Sequence, residues 1–242
     1  MKNNIATQVC TFLISACFLS SCSTSTTNFS GVGAGILQAS GTHSLTESEV
    51  QGVKSLRFEV RPGDRWNDGF KDSSRSEISF GKSYDSNGVR YRYKFDVLVP
   101  SKVNGKINGT SGQVIIAQWH QGRGGDPKYM LGWPTAALYF SEGSLWISVV
   151  LVEEGAGMPK QVAIKRIDDF QFDRWNSFEF STVWSQGSDG HFYALMNGKS
   201  ILNYDGPNGY PSGMNWFKFG IYRINDVYAP TTVVYFKDVR RD

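Results

Sequence analysis

Residues 89–99 read Val89-Arg90-Tyr91-Arg92-Tyr93-Lys94-Phe95-Asp96-Val97-Leu98-Val99. Every second side chain is a ring or a branched aliphatic, and those between are mostly charged. Side chains of an extended strand point alternately to opposite faces, so this run has one face for a core and one for water. Working outward, the same period of two recurs at residues 55–60, 114–120, 145–152, 176–184, 192–196, 216–222 and 231–239. Turn chemistry separates the runs, at Ser86-Asn87-Gly88, Asn104-Gly105, Asn197-Gly198 and Gly206-Pro207-Asn208-Gly209. No window of about 12 residues carries a helical apolar stripe. The best helical candidates are short turns near Pro134 and at Ile167-Asp168-Asp169-Phe170. Many short strands with aromatic faces and no internal repeat predict one all-β domain, an antiparallel sandwich or jelly roll, with a closed barrel as the competing topology.

The composition agrees with a single globular domain. The chain has 242 residues, 40% hydrophobic and 14% aromatic, with 25 Lys and Arg against 22 Asp and Glu. A formal charge of +3 allows an acidic substrate and gives no argument for nucleic acid, which calls for clustered Lys and Arg. Cys10, Cys17 and Cys22 are the three cysteines, so the remainder of the chain excludes a disulfide framework and a thiolate metal site. His43, His120 and His191 show no ligand spacing, so no cofactor or metal is expected, with a structural calcium on loop aspartates left open.

Lys2 followed by an apolar stretch over residues 5–19 reads as the start of a secretory signal, too short to span a bilayer. Leu19-Ser20-Ser21-Cys22 resembles the bacterial lipobox. That resemblance implies a mature chain starting at Cys22, carrying lipid on its sulfur and its amine. An ordinary signal peptide cut near Ser21 is the plainer alternative. Ser23-Thr24-Ser25-Thr26-Thr27-Asn28 suits a flexible tether. The expected organisation is a signal at 1–21, a lipid-anchored tether and extension at 22–47, and the sandwich domain at 48–242. The expected location is the bacterial cell envelope, with the membrane as a partner through Cys22, and the protein a monomer.

Three strand-like segments carry chemistry on the face away from their apolar side. In Ser74-Arg75-Ser76-Glu77-Ile78-Ser79-Phe80, Arg75 and Glu77 share a face and Ile78 and Phe80 take the other. In Ile115-Ile116-Ala117-Gln118-Trp119-His120, Gln118 and His120 share a face opposite Ala117 and Trp119. In Phe217-Lys218-Phe219-Gly220-Ile221-Tyr222, Lys218, Gly220 and Tyr222 oppose Phe217, Phe219 and Ile221. Gly220 is expected to leave ligand room between Lys218 and Tyr222. Taken singly, each segment is more often just a solvated sheet face, as Arg90, Arg92 and Lys94 illustrate.

Together, the three segments resemble the signature strands of jelly-roll polysaccharide lyases. Family-seven alginate lyases carry R-S/T-E-L/V-R, Q-I/V-H and Y-F-K-A-G-V/I-Y. This chain differs at Ser79, where the first motif ends in Arg, at Trp119, where the second has an aliphatic residue, and at Arg223-Ile224, where Asn-Gln follows the final Tyr. Its Q-W-H and K-F-G-I-Y-R forms, and the ending Val234-Tyr235-Phe236-Lys237-Asp238-Val239, are similar to the heparin lyase I and glucuronan lyase group. The likeness runs over residues 50–240 and implies a concanavalin-like β-jelly roll.

The same resemblance implies β-elimination on an acidic polysaccharide. A base takes the C5 proton of a uronate and the C4 glycosidic oxygen leaves. His120 is the candidate base, since a histidine of ordinary pKa, about 6.5, is largely neutral at pH 7. Tyr222 is the candidate acid. Gln118 and Arg75 would neutralise the carboxylate, with Lys218 as supporting charge and Glu77 orienting Arg75. Where H5 and O4 lie on one face of the sugar, as in glucuronate and mannuronate, one tyrosine could serve as both base and acid. Arg123 and Lys128, in the loop after His120, are candidate substrate contacts. Trp66, Trp133 and Tyr139 could stack on sugars, and Arg223 falls on the opposite face from Tyr222. Two rivals are a non-catalytic carbohydrate-binding lipoprotein on the same sandwich and a sandwich glycoside hydrolase. The hydrolase needs paired carboxylates, and the chain has no E-x-D-x-x-E run, while Glu153 and Glu154 are adjacent and face opposite sides.

Overall fold

The computed structural model describes residues 26–29, 33–66, 73–81, 83–101, 113–121, 133–151, 160–210, 214–224 and 229–242. Among these there is no helix. The first sheet contains β1 (Thr26–Phe29), β2 (Gly33–Ala39), β5 (Ser74–Ser79), β6 (Asp85–Ser86), β8 (Val114–Gln121), β9 (Ala136–Ser141), β10 (Ser144–Leu151), β11 (Lys160–Ile167) and β15 (Met214–Arg223). The second contains β3 (Leu45–Val50), β4 (Val53–Val60), β7 (Arg90–Leu98), β12 (Trp175–Val183), β13 (His191–Met196), β14 (Lys199–Asp205) and β16 (Thr232–Arg241). Their orders are β1-β2-β5-β15-β8-β9-β10-β11, with β6 also pairing β15, and β14-β13-β12-β7-β16-β4-β3. The two antiparallel sheets form a jelly-roll sandwich, and the order is open at both ends, which removes the barrel alternative.

The core is a set of rings between the sheets. Trp119 of β8 is fully buried and packs against Tyr93, Phe180, Phe192 and Phe217 at centroid distances of 5.0–5.4 Å. Removing such a ring costs about 3–5 kcal/mol. Where the family motif has an aliphatic residue, this chain thus fills the core with an indole, and the indole fixes which face of β8 carries Gln118 and His120. Phe217, Phe219 and Ile221 do the same for β15, and Ile78 and Phe80 for β5. Gln118, His120 and the polar residues of β5 and β15 keep the face that alternation predicts, whereas a bulge between Ile115 and Ala117 turns Ile115 outward and Ile116 into the core.

The structure corrects two expectations. Among the described residues strands begin at Thr26, and β1, β2 and half of β3 occupy the stretch expected as a tether and extension. Gly35 of β2 is there for close packing, since a Cβ on it would lie 2.3 Å from Ile78. Leu37 packs on the core, and His43 bonds Asp64 at 2.9 Å. A run rich in Gly and Ser reads as linker because its strand signal is a close approach of backbones, which leaves no periodic pattern.

Gly220 also differs from expectation. Its φ is +132°, and a Cβ would meet the Ser76 carbonyl oxygen at 2.3 Å and the Phe58 ring at 2.9 Å. It sits within a register shift between β15 and β8, across Phe219 and Tyr222. Glycine is there for the backbone of this bulge and the approach of β5, not for ligand room.

Candidate active site

Four strands deliver polar side chains to the outward face of the nine-stranded sheet. Register sets Tyr222 opposite Arg75 and Lys218 opposite both Ser79 and Gln118. Arg75, Glu77, Gln118 and Lys218 are each at most 7% exposed. Charges so buried persist only if their hydrogen bonds are made locally.

Glu77 joins the cluster by one hydrogen bond and one ion pair. Its Oε1 accepts from Gln118 Nε2 at 2.6 Å, and its Oε2 lies 3.3 Å from Arg75 Nε. Gln38 of β2 supplies a second acceptor, its Oε1 taking bonds from Arg75 Nη1 at 3.0 Å and Lys218 Nζ at 3.2 Å. The Arg75 guanidinium lies 4.3 Å from the centre of the Tyr222 ring, a cation–π contact. The Tyr222 hydroxyl is 3.4 Å from Ser73 Oγ. Glu77 therefore holds Gln118 and Arg75 in place, and Arg75 holds Tyr222.

His120 stands at the other end of the cluster. It is half-buried and stacks on Trp216 with centroids 5.1 Å apart. Its Nδ1 is 3.3 Å from the Gln121 carbonyl oxygen, so Nδ1–H donates there and Nε2 keeps the lone pair. Burial depresses its pKa most, followed by the charge of Lys218, with Arg75 adding to the effect and the Gln121 bond opposing it; the result is down to about 3. The imidazole is thus held neutral, able to accept a proton but a weaker base than an ordinary histidine. Five residues along β8 separate His120 from Ile115, the partner of Tyr222, about 17 Å of extended chain at ~3.3 Å per residue before bulges shorten it. His120 and Tyr222 thus approach the cluster from opposite ends.

Arg75, Glu77, Gln118, His120, Lys218 and Tyr222 all come to one face. Arg123, Lys128 and Cys22 lie outside the described residues. Trp133 is 41% exposed, whereas Tyr139 is buried in an apolar group with Ile115 and Ala137, against which Tyr222 and Trp146 pack. Arg223 points away, as expected, and is fully buried, donating to Ser74 Oγ at 2.8 Å and to the carbonyl oxygens of Arg61, Ala229 and Pro230. Sequence reasoning missed Gln38 and Trp216. Trp216 shares the face of Lys218 by simple alternation and was findable, whereas Gln38 lies in the stretch that reads as tether. Among the described residues no group of three or more His, Cys, Asp or Glu is placed to hold a metal ion.

A sequence model described as polysaccharide lyase matches residues 24–240. The chain belongs to the polysaccharide lyase family. As a polysaccharide lyase it breaks carbon–oxygen bonds in a sugar polymer, and the site above is its candidate centre. No curated protein sequence matches this polysaccharide lyase. Among solved structures it is similar to an endo-β-1,4-glucuronan lyase from the fungus Trichoderma reesei, with TM-score 0.68 and 13% identity over 85% of this chain and 89% of that one. It is also similar to alginate lyase A1-II′, of polysaccharide lyase family 7, with TM-score 0.56 and 16% identity over 85% and 92%. Alginate lyase AlyC3 gives TM-score 0.55 and 15% identity over 78% and 75%. At these identities the likeness is one of fold.

Proposed function

We propose that this polysaccharide lyase cleaves a polyuronate by β-elimination. His120 Nε2 takes the C5 proton, the electron pair forms the C4=C5 double bond, and the C4–O bond breaks as Tyr222 gives its proton to the leaving oxygen. Arg75 and Gln118 hold the carboxylate on which negative charge builds, by guanidinium and amide donors. Where H5 and O4 share a face, Tyr222 carries out both proton transfers, and His120 adds no charge of its own beside Lys218 and Arg75. The observation that carries the reading is a histidine, a glutamine, an arginine and a tyrosine brought to one sheet face by strand register, in a chain of this family. That its structural neighbours are named for glucuronan and alginate, both polyuronates, supports the substrate class. Glu77, the described carboxylate of the cluster, is committed to Gln118 and Arg75, which disfavours a two-carboxylate hydrolase.

The test is incubation with glucuronan, polymannuronate, polyguluronate and heparin while following the ultraviolet absorbance of the unsaturated product. A rise on at least one polymer is expected. Binding with no rise on any would point to the carbohydrate-binding alternative. Envelope anchoring through Cys22 belongs to the same proposal. Cys22→Ser should then move the protein out of the membrane fraction, and retention there would defeat it.

A further inference from the structure

The pairing register draws a straight row across the sheet, away from the cluster. Arg75 stands opposite Tyr222, Tyr222 opposite Ile115, Ile115 opposite Tyr139, Tyr139 opposite Trp146, and Trp146 opposite Arg166. Ile115 and Tyr139 are buried and make an apolar floor, while Trp146 is half-buried and Arg166 exposed. Tyr139, which burial keeps protonated, packs between Tyr222 and Trp146. Beside this row runs a second one that starts at Lys218 and Gln118 and continues through Ala137, Ser148 and Ala163. Its side chains beyond Gln118 are short, and Ala137 and Ser148 are fully buried, Ser148 accepting from Gln161 Nε2 at 2.8 Å. The accessible groups of the two rows therefore lie at their far end, at Trp146, Ala163 and Arg166.

We infer that the outer end of these rows is a remote sugar subsite, in which the Trp146 ring stacks on a pyranose and Arg166 binds the carboxylate of a uronate. The inference rests on the uronate lyase reading and adds the residues that recognise the chain beyond the cleaved unit. Three strand spacings separate Tyr222 from Trp146, about 14 Å at ~4.8 Å each, which is longer than one sugar ring. Trp146 therefore meets a different sugar from the one that loses its proton. An aromatic ring set over an apolar floor loses little conformational freedom when it takes up the C–H face of a sugar. Among the described residues Arg166 pairs with Asp168 at 2.7 Å, with both side chains more than half exposed. Such a pair is weak in water, so a substrate carboxylate can take the guanidinium with a paired, planar contact.

The test compares the wild type with Trp146→Ala and Arg166→Gln on the polyuronate it cleaves best and on the shortest oligomer of that polymer it still cleaves. Trp146→Ala should raise KM for the polymer about tenfold with kcat nearly unchanged, the signature of lost uniform binding. Arg166→Gln should raise it about threefold at low salt, with the difference shrinking as salt screens it. Neither should change KM for the short oligomer. An unchanged polymer KM in both variants, or an equal rise on polymer and oligomer, overturns the subsite. If Trp146→Ala fails to fold, the exposed Arg166→Gln variant decides alone. A wild type that turns over no polyuronate defeats the lyase reading separately. Retardation in a polyuronate-containing gel then still decides the subsite, since Arg166→Gln must migrate faster than the wild type.

Discussion

Strand β7 and the trio β5, β8 and β15 carry the same sequence pattern, with rings on one side and charges on the other. Their apolar sides meet, Tyr93 packing on Phe217 at 4.9 Å. Their polar sides have opposite fates. On β7, Lys94 pairs with Glu179 at 2.7 Å with both side chains about a third to a half exposed, and Arg90 donates to Ser181 Oγ. On the other sheet, Arg75, Glu77, Gln118 and Lys218 are at most 7% exposed and bond one another and Gln38 across four strands. Taking charges out of water costs several kcal/mol per ion, and even good partners only offset it. Stability alone gives no reason to bury this set, whereas the proposed hold on a substrate carboxylate does.

Tyr222→Phe gives the largest effect that comparison demands. Elimination should fall by about 10²–10⁴-fold, the usual worth of a general acid or base. The ring under the Arg75 guanidinium remains, so the melting temperature should stay near wild type. Near-normal product formation would put the proton donor elsewhere and leave this face no more catalytic than that of β7.

The second effect is on pH dependence. An unfolded chain protonates His120 near pH 6.5, whereas the folded site resists until about 3. Between those values the unfolded state binds the extra proton, so this group's contribution is full above pH 6.5 and is lost as pH falls toward 3. His120→Asn should therefore flatten the slope of melting temperature against pH in that window. Activity of the wild type should show no acid limb centred on 6.5 if His120 is the base. A limb there would mean the imidazole titrates as though it lay on the open β7 face.

How far the sequence reaches follows from the same contrast. Alternation gave the faces of β5, β15 and the end of β8 correctly, because Trp119, Phe217 and Ile221 admit only one side as core, but it missed the bulge that turns Ile115 outward. It could not reveal that Glu77 serves Gln118 and Arg75 at once, since those three come from strands joined only by register. Nor could it find Gln38. A Gly-rich strand such as β2 is specified by what its neighbours leave room for, and its own sequence carries no period. Gly220 was visible, but its role depends on a register shift with β8 that no local pattern records.

The smallest effect tests the other half of the contrast. Lys94→Ala removes a cation of the same type, on a strand of the same pattern, as Lys218. Its pair with Glu179 is open to solvent, where such bridges contribute about 0–1 kcal/mol and are screened by salt. The melting temperature should then move by no more than about 2–4 °C, and product formation on any polyuronate should be unchanged. Titrating salt sharpens the point, because a difference resting on an exposed pair fades with ionic strength, whereas one resting on the buried Lys218–Gln38 contact persists. If Lys94→Ala instead slowed elimination severalfold, the outer face of the seven-stranded sheet would have to take part in handling the polymer. Burial would then no longer separate the two faces, and the reason for assigning chemistry to only one of them would be gone.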